Sequence, residues 1–331
     1  MKTILLCLTG GTLGASFHQG QIAPDAKAQA TLLSQFHDLN REHTQVTFEV
    51  IQPFNLLSEN MMPRLWGELI QALTAQDLQR YDGIIVGHGT DTLPYTAAAL
   101  SYALRGLPIP VLLVSSHLPL DEPQANGLAN FSAAVDFIIQ HPLSGVYVPY
   151  QNPGQKLALH AGLNLLSSLP LSCDFISAAG QPLAWYERGQ FHFNDAIHTE
   201  SSEQEWQIPA RFSSRILLLR PYPGLDYRGI NLTGYQAVLH DLYHSGTACI
   251  ASEPGATYAL PDFMARCQAA NLPVYLAPIA SDQRFYQTSL ALDEAGGRFL
   301  PDITLEAAYV KLCLAYGVFA DTDDIHAFLS L

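Results

Sequence analysis

Short apolar runs bounded by Gly, Pro or Asp punctuate the first half of the chain at Thr3–Leu8, Val46–Ile51, Gly83–Val86 and Val111–Val114. Such runs predict buried parallel strands, covered on both faces. Between them, apolar positions recur at helical spacing over 26–39, 64–78, 96–104 and 128–139. Strand and helix in alternation imply right-handed crossovers in one doubly wound sheet, whose ligands bind beyond the strand C-termini. From about Glu187 to Ser214 the pattern dissolves into a polar stretch with Glu200, Glu203 and Glu205, which predicts a linker or an exposed hairpin. A second α/β unit follows, with strands expected at 216–219, 248–251 and 274–277 and helices near 233–243, 260–270 and 305–316. The expected division is 1–190, a linker over 191–214, and 215–331, and no internal repeat is present.

A chain of 331 residues fits two domains with ample core. Its 16 basic against 30 acidic residues give a formal charge of −14, which disfavours nucleic acid or an anionic membrane as a main partner. Only 14% of residues are charged, against about 25% in ordinary domains, so part of the surface is uncharged or covered by self-association. The five cysteines stand singly, which predicts reduced, mostly core thiols. The opening MKTILLCLTGG is too short for a secretory leader and reads as a first strand running into a turn. A cytoplasmic protein is the expectation.

Two segments at predicted strand ends carry chemistry. Thr9-Gly10-Gly11-Thr12-Leu13-Gly14 follows the first strand, where glycines permit a tight turn that exposes a hydroxyl and amides. It is not a dinucleotide fingerprint, because GxGxxG needs glycine where Thr9 stands. Gly87-His88-Gly89-Thr90-Asp91-Thr92 follows the strand of Ile84, Ile85 and Val86, so both turns project at one sheet edge. Asp91 can accept from an ammonium while threonine hydroxyls bind a carboxylate, which suits a zwitterionic amino acid. The bland alternatives are a bare turn for the first segment and, for the second, a helix start capped by Asp91 or Thr92 before Pro94.

Together these motifs resemble the bacterial-type L-asparaginase family, with its TGGTI and HGTDT signatures. The resemblance extends to Ser58-Glu59-Asn60-Met61, to Tyr95–Ser101, to the Pro221–Gly224 turn and to Gly297–Leu312, and is weakest over 121–210. It implies a flavodoxin-like N-terminal domain with a smaller Rossmann-like C-terminal one, in a homodimer or homotetramer. The implied activity is hydrolysis of the asparagine side-chain amide, more weakly of glutamine, without a cofactor or metal, through an acyl-enzyme on Thr12. Thr90, with Asp91 and a lysine, would support the chemistry. Ser58, Glu59 and Asp91 would hold the substrate, and amides at Gly11 or Gly89 would serve as oxyanion donors. Lys156, which trails Asp91 by 65 positions, is the candidate lysine, with a solvated loop lysine as the alternative.

This chain departs from the family in places. The stretch from Leu13 to Ala30 has no tyrosine where the family's lid supplies one to the nucleophile, and offers Phe17, His18 and Gln21 instead. Glu59 adds a carboxylate where an amide or neutral donor is usual. A catalytically weakened relative that binds an amino acid or another amide is therefore the alternative function. A third reading, the related subunit of an aminoacyl-tRNA amidotransferase, is disfavoured by the acidic charge and by the expectation that no extra N-terminal domain precedes the first strand. His240 and His244, four apart on an expected helix, have a spacing that can bind zinc, though the HExxH glutamate is absent. No GxSxG elbow or phosphate loop occurs.

Overall fold

The computed structural model describes residues 2–11, 13, 15–18, 21–24, 28–39, 45–141, 143–194, 208–251, 257–281 and 286–331. The chain separates into two units, Met1–Ala210 and Arg211–Leu331.

The first unit is built on β1 (Lys2–Leu8), a short hairpin β2 (Ala15–His18) and β3 (Gln21–Pro24), α1 (Ala28–Leu39), β4 (Val46–Ile51), α2 (Pro63–Thr74), β5 (Gly83–Gly87), α3 (Leu93–Ala103), β6 (Pro110–Val114), α4 (Gly127–Gln140), β7 (Gly145–Gln151), β8 (Leu157–Ala161), β9 (Ala184–Glu187) and β10 (Gln190–Phe193). Its eight-stranded sheet runs β10-β9-β8-β7-β6-β5-β1-β4. Strands β4, β1, β5, β6 and β7 are mutually parallel, and β8, β9 and β10 follow as antiparallel additions. The central strands are apolar at every position because helices cover both faces: Ile4 to Cys7, Ile84 to Val86 and Val111 to Val114 are all buried. One face, carrying Leu6, Ile85, Leu112, Val114, Leu157 and Leu159, packs with Phe36 of α1 and Phe131 and Phe137 of α4. The polar stretch expected near Glu187 begins as the β9–β10 hairpin. Glu200, Glu203 and Glu205 lie outside the described residues.

The second unit has a four-stranded parallel sheet, β11 (Ile216–Leu219), β12 (Ala237–Asp241), β13 (Val274–Ile279) and β14 (Arg298–Pro301), in sequential order. Its helices are α5 (Leu260–Ala269), α6 (Gln287–Glu294), α7 (Leu305–Val318) and α8 (Thr322–Leu329). Thr304 caps α7, its hydroxyl accepting from Ala307 N at 3.1 Å.

Two expectations for this unit are corrected. Residues 233–243 do not form a helix: Ala237–Asp241 is the central strand β12. The apolar run there is too short for periodicity to separate the two states, and Gly234 and Gly246, both at positive φ, bound it as strands are bounded. Residues 248–251 are not a strand; Cys249 O instead accepts from Leu260 N at the start of α5. All five cysteines are free, with Cys7, Cys267 and Cys313 buried and Cys173 and Cys249 exposed. Among the described residues, no helix is long and apolar enough to cross a membrane.

Candidate active site

Strands β1 and β5 are neighbours, so the turns leaving them meet. Thr9 N donates to Gly87 O at 3.0 Å and Thr9 Oγ1 donates to the same carbonyl at 2.9 Å, which ties the two strand ends together. Gly10 and Gly11 then take φ of +110° and +74°, conformations that strain any L side chain. The turn is also held from the other side: Gly11 N donates to Leu56 O and Leu56 N to Thr9 O, each at 3.0 Å. A Cβ on Gly11 would sit 2.4 Å from Gly89 Cα, so the two glycine turns lie backbone to backbone. Thr12 and Gly14 lie outside the described residues, between and beyond the buried Gly11 and Leu13.

The third segment is the single helical turn at Ser58–Asn60. Buried Ser58 is the hinge of the site. Its Oγ accepts from Asp91 N at 3.2 Å and donates to Asp91 Oδ2 at 3.3 Å, while Thr92 Oγ1 donates to Ser58 O at 2.9 Å. A Cβ on Gly89 would meet Ser58 Oγ at 2.5 Å. Thr92 is the residue before α3, but its hydroxyl serves Ser58 rather than capping the helix. Gly11, Ser58, Gly89, Thr90 and Asp91 are thus brought together at one sheet edge, with Asp91 exposed, Thr90 half-buried and Glu59 exposed beside them.

His88, to which the motif alone assigns no role, is the rigid floor of the second turn. Burial pushes its imidazole down to about 4, so it is neutral. Nδ1 lies 2.8 Å from the Gly89 carbonyl, which can only accept, so Nδ1 carries the proton. Nε2 therefore accepts from Thr96 Oγ1 at 2.9 Å, and Trp66 Nε1 donates to that hydroxyl at 3.1 Å. A helix-to-helix chain of bonds fixes the loop that carries Thr90. The signal was the histidine itself, an unusual residue between two small ones at a buried strand end.

Lys156 is not the buried partner of Thr90. It sits where β8 begins, its side chain 61% exposed, and its Nζ bonds Glu187 Oε2 at 2.9 Å, which holds that carboxyl below its ordinary range. Strand β8 is three places from β5 in the sheet, about 14 Å at the usual strand spacing. Together with Gln155, Trp185, Glu187 and His192, Lys156 lines an open surface groove. The other described lysines are committed too: Lys2 bonds Asp82 at 2.8 Å, and Lys311, in the second unit, donates to Leu329 O at 2.9 Å.

The histidine pair expected to offer a zinc spacing does not do so. His240 lies in β12, buried and pushed down to about 4 by desolvation; its Nδ1 donates to Asp241 O at 2.5 Å and its Nε2 accepts from Tyr227 Oη at 2.7 Å. His244 follows in a turn beyond the strand. Among the described residues, no group of three or more His, Cys, Asp or Glu is placed to hold a metal ion.

A doubly wound sheet whose first and third parallel strands, β1 and β5, end in apposed glycine turns defines an α/β class of protein with its candidate site at the strand C-termini. The profile of the asparaginase N-terminal domain matches residues 3–198, and the chain belongs to the asparaginase family. Among solved structures, a thermostable L-asparaginase from Thermococcus kodakarensis superposes with a TM-score of 0.82 at 24% identity, covering 99% of this chain and 97% of that one. L-asparaginase I from Vibrio cholerae gives 0.80 at 24% identity, covering 99% and 96%. Among curated relatives, a glutamyl-tRNA(Gln) amidotransferase subunit of Metallosphaera sedula is 28% identical over 96% of this chain and 72% of its own length. The corresponding protein of Saccharolobus solfataricus is 32% identical over 67% of this chain and 51% of its own length.

Proposed function

We propose that this protein hydrolyses the side-chain amide of a free amino acid, L-asparagine first, releasing L-aspartate and ammonia through an acyl-enzyme on Thr12. The observation that carries this reading is the contact of the Gly10–Gly11 turn with Gly89 beneath the Ser58–Asp91 bonds. It sets Gly11, which precedes Thr12, against Gly89, which precedes Thr90 and Asp91. Asp91, exposed and held by Ser58, receives the substrate ammonium. The Gly89 amide is the donor for the oxygen that gains charge during acyl transfer, whereas the Gly11 amide, expected from the sequence to share that role, is engaged with Leu56 O. Thr90 supports the chemistry from the second turn. No cofactor or metal is part of this scheme, and the expected assembly is a cytoplasmic homodimer or homotetramer. Lys156 is left out because its ammonium is engaged with Glu187 at the surface.

A second reading is favoured by the curated relatives, whose names are those of an amidotransferase component. In it the same site releases ammonia for use on a tRNA-bound substrate. The formal charge of −14 weighs against direct contact with tRNA by this chain alone.

Ammonia release from L-asparagine and L-glutamine by the purified protein, beside Thr12→Ala, tests the proposal. Turnover by wild type with a loss of several orders of magnitude in the variant is the expected result. Absence of ammonia from both amides would overturn it in favour of a relative that binds an amino acid or acts only within a complex.

A further inference from the structure

The antiparallel end of the first sheet turns one face outward, and that face carries chemistry that the amidohydrolase scheme leaves unused. Tyr186 of β9 and Phe191 of β10 pack into the core on the other side, so alternation along the strands places Trp185, Glu187 and His192 together on the outer one. In the ladder Trp185 stands between Ala158 of β8 and His192 of β10. Lys156, one residue before Leu157, continues the same register to Glu187, in agreement with the 2.9 Å bond between them. With Gln155, the Lys156, Trp185, Glu187 and His192 side chains line an open groove of about 410 Å³. Strand β9 lies four places from β5, about 19 Å, so the groove is separate from the glycine-turn site.

Each part of the groove offers a different contact. Trp185 is 40% exposed, with only the methyl of Ala158 beside it on β8, and an indole open on one side is a stacking surface for a planar ring. Lys156 is a cation at the groove wall, and its bond is the chief cause that holds the Glu187 carboxyl below its ordinary range; Arg188 and His192 act on it in the same direction. Two cations therefore flank one carboxylate, a local reversal in a chain of charge −14. Such a carboxylate accepts from vicinal hydroxyls, as acidic residues do from ribose. Arg188 and Gly189 make the two-residue β9–β10 turn with φ of +53° and +79°. Asn or Gly is the usual first residue of such a turn and a long side chain there is strained, so the sequence keeps a guanidinium beside Glu187 against the preference of its own backbone. Among the described residues, the Trp185 indole N–H, the His192 ring and the Arg188 guanidinium make no hydrogen bond.

We propose that this groove binds a nucleoside monophosphate, with the base stacked on Trp185, the ribose hydroxyls donating to Glu187 and the phosphate held by Lys156 and Arg188. Trp185 and Glu187, two residues apart on β9, are separated by about 7 Å, which matches one ribose between base and phosphate. A free phosphate lacks the stacked ring, and a nucleoside lacks the ion pairs. The inference is independent of the amidohydrolase reading.

The test titrates the purified protein with AMP, adenosine and inorganic phosphate at neutral pH and low salt, by calorimetry and by 1H–15N spectra that follow the indole N–H signals. AMP should saturate with a Kd below ~1 mM and shift the signal that Trp185→Ala removes, while adenosine and phosphate each bind at least ~10-fold more weakly. Trp185→Ala should weaken AMP binding ~10-fold, and Lys156→Gln ~5-fold with a shallower salt dependence. Arg188→Asn suits the turn better, so it should raise the thermal unfolding midpoint while weakening AMP ~5-fold, a combination that a merely structural arginine would not give; it also covers the case in which Lys156→Gln disturbs β8. No saturable AMP binding, an AMP affinity within twofold of wild type in all three variants, or adenosine or phosphate binding as tightly as AMP overturns the proposal. None of these outcomes bears on ammonia release, by which the amidohydrolase reading stands or falls separately.

Discussion

Ser58 meets three separate demands with one small side chain. Its hydroxyl accepts from Asp91 N, donates to Asp91 Oδ2 and fills the space beside Gly89, while its carbonyl receives Thr92. Ser58→Ala removes both side-chain bonds and leaves Asp91 free to rotate. The expected outcome is a drop in kcat/KM for L-asparagine of ~10- to 100-fold, with the greater part in KM if Asp91 holds the ammonium; steady-state ammonia assays check it. Gly89→Ala acts through volume instead. Its methyl would stand 2.5 Å from Ser58 Oγ and 2.6 Å from Ser58 Cβ, an overpacked contact expected to cost about 1–3 kcal/mol, measurable by urea denaturation. At this scale much was legible in the sequence, because turns that need glycine must spell it: Gly10, Gly11 and Gly89 are where the motifs put them. The exposure of Lys156 was not legible, because it depends on how many residues the β7–β8 turn contains: a slip of one residue reverses every side chain of β8.

Among the elements, β12 shows how a strand can be mistaken for a helix and what then secures it. The run Ala237–Asp241 lies between β11 and β13, and its His240 is buried against Tyr227. Tyr227→Phe would leave His240 Nε2 as an unpaired buried acceptor. The expected destabilisation is about 1–3 kcal/mol, read as a lower urea midpoint with an unchanged m value. Strands β1, β5 and β6 of the first unit were easier to read than this one because they are apolar at consecutive positions and bounded by glycine or proline, whereas the parallel strand β7 was not read from the sequence. The antiparallel strands β8, β9 and β10 were not, since their alternation of apolar and polar residues is short and interrupted by the polar Asn152–Lys156 turn. Helix α3 is apolar on all sides, Ala97 to Leu100 being buried without exception, so no amphipathic stripe marks its orientation.

At the scale of the molecule, three histidines among the described residues are buried in the neutral state: His88 and His160 in the first unit and His240 in the second, each pushed from 6.5 to about 4 by desolvation. In the unfolded chain they titrate near their ordinary value. Above about pH 6.5 both states are neutral and the folded form keeps its full stability. As pH falls from about 6.5 toward about 4, the unfolded chain binds protons that the folded one refuses, and stability is lost. The loss is at most ~3 kcal/mol for each histidine, which denaturant titrations at pH 7, 5.5 and 4.5 would show as a steady fall in midpoint. Conversion of His88 to a cation would also end its acceptance from Thr96, so any activity should disappear in the same range.

The contact between Gly11 and Gly89 leaves no room for a single added atom, and it sets where this scaffold can be redesigned. A saturation library at positions 10, 11 and 89 should return glycine almost alone among active clones, because any larger residue must separate the two turns. Neighbouring Glu59 and Asn60 are exposed and free to vary. New amide preferences would therefore arise by exchanging those two side chains, while the paired turns stay fixed as the frame around which they change.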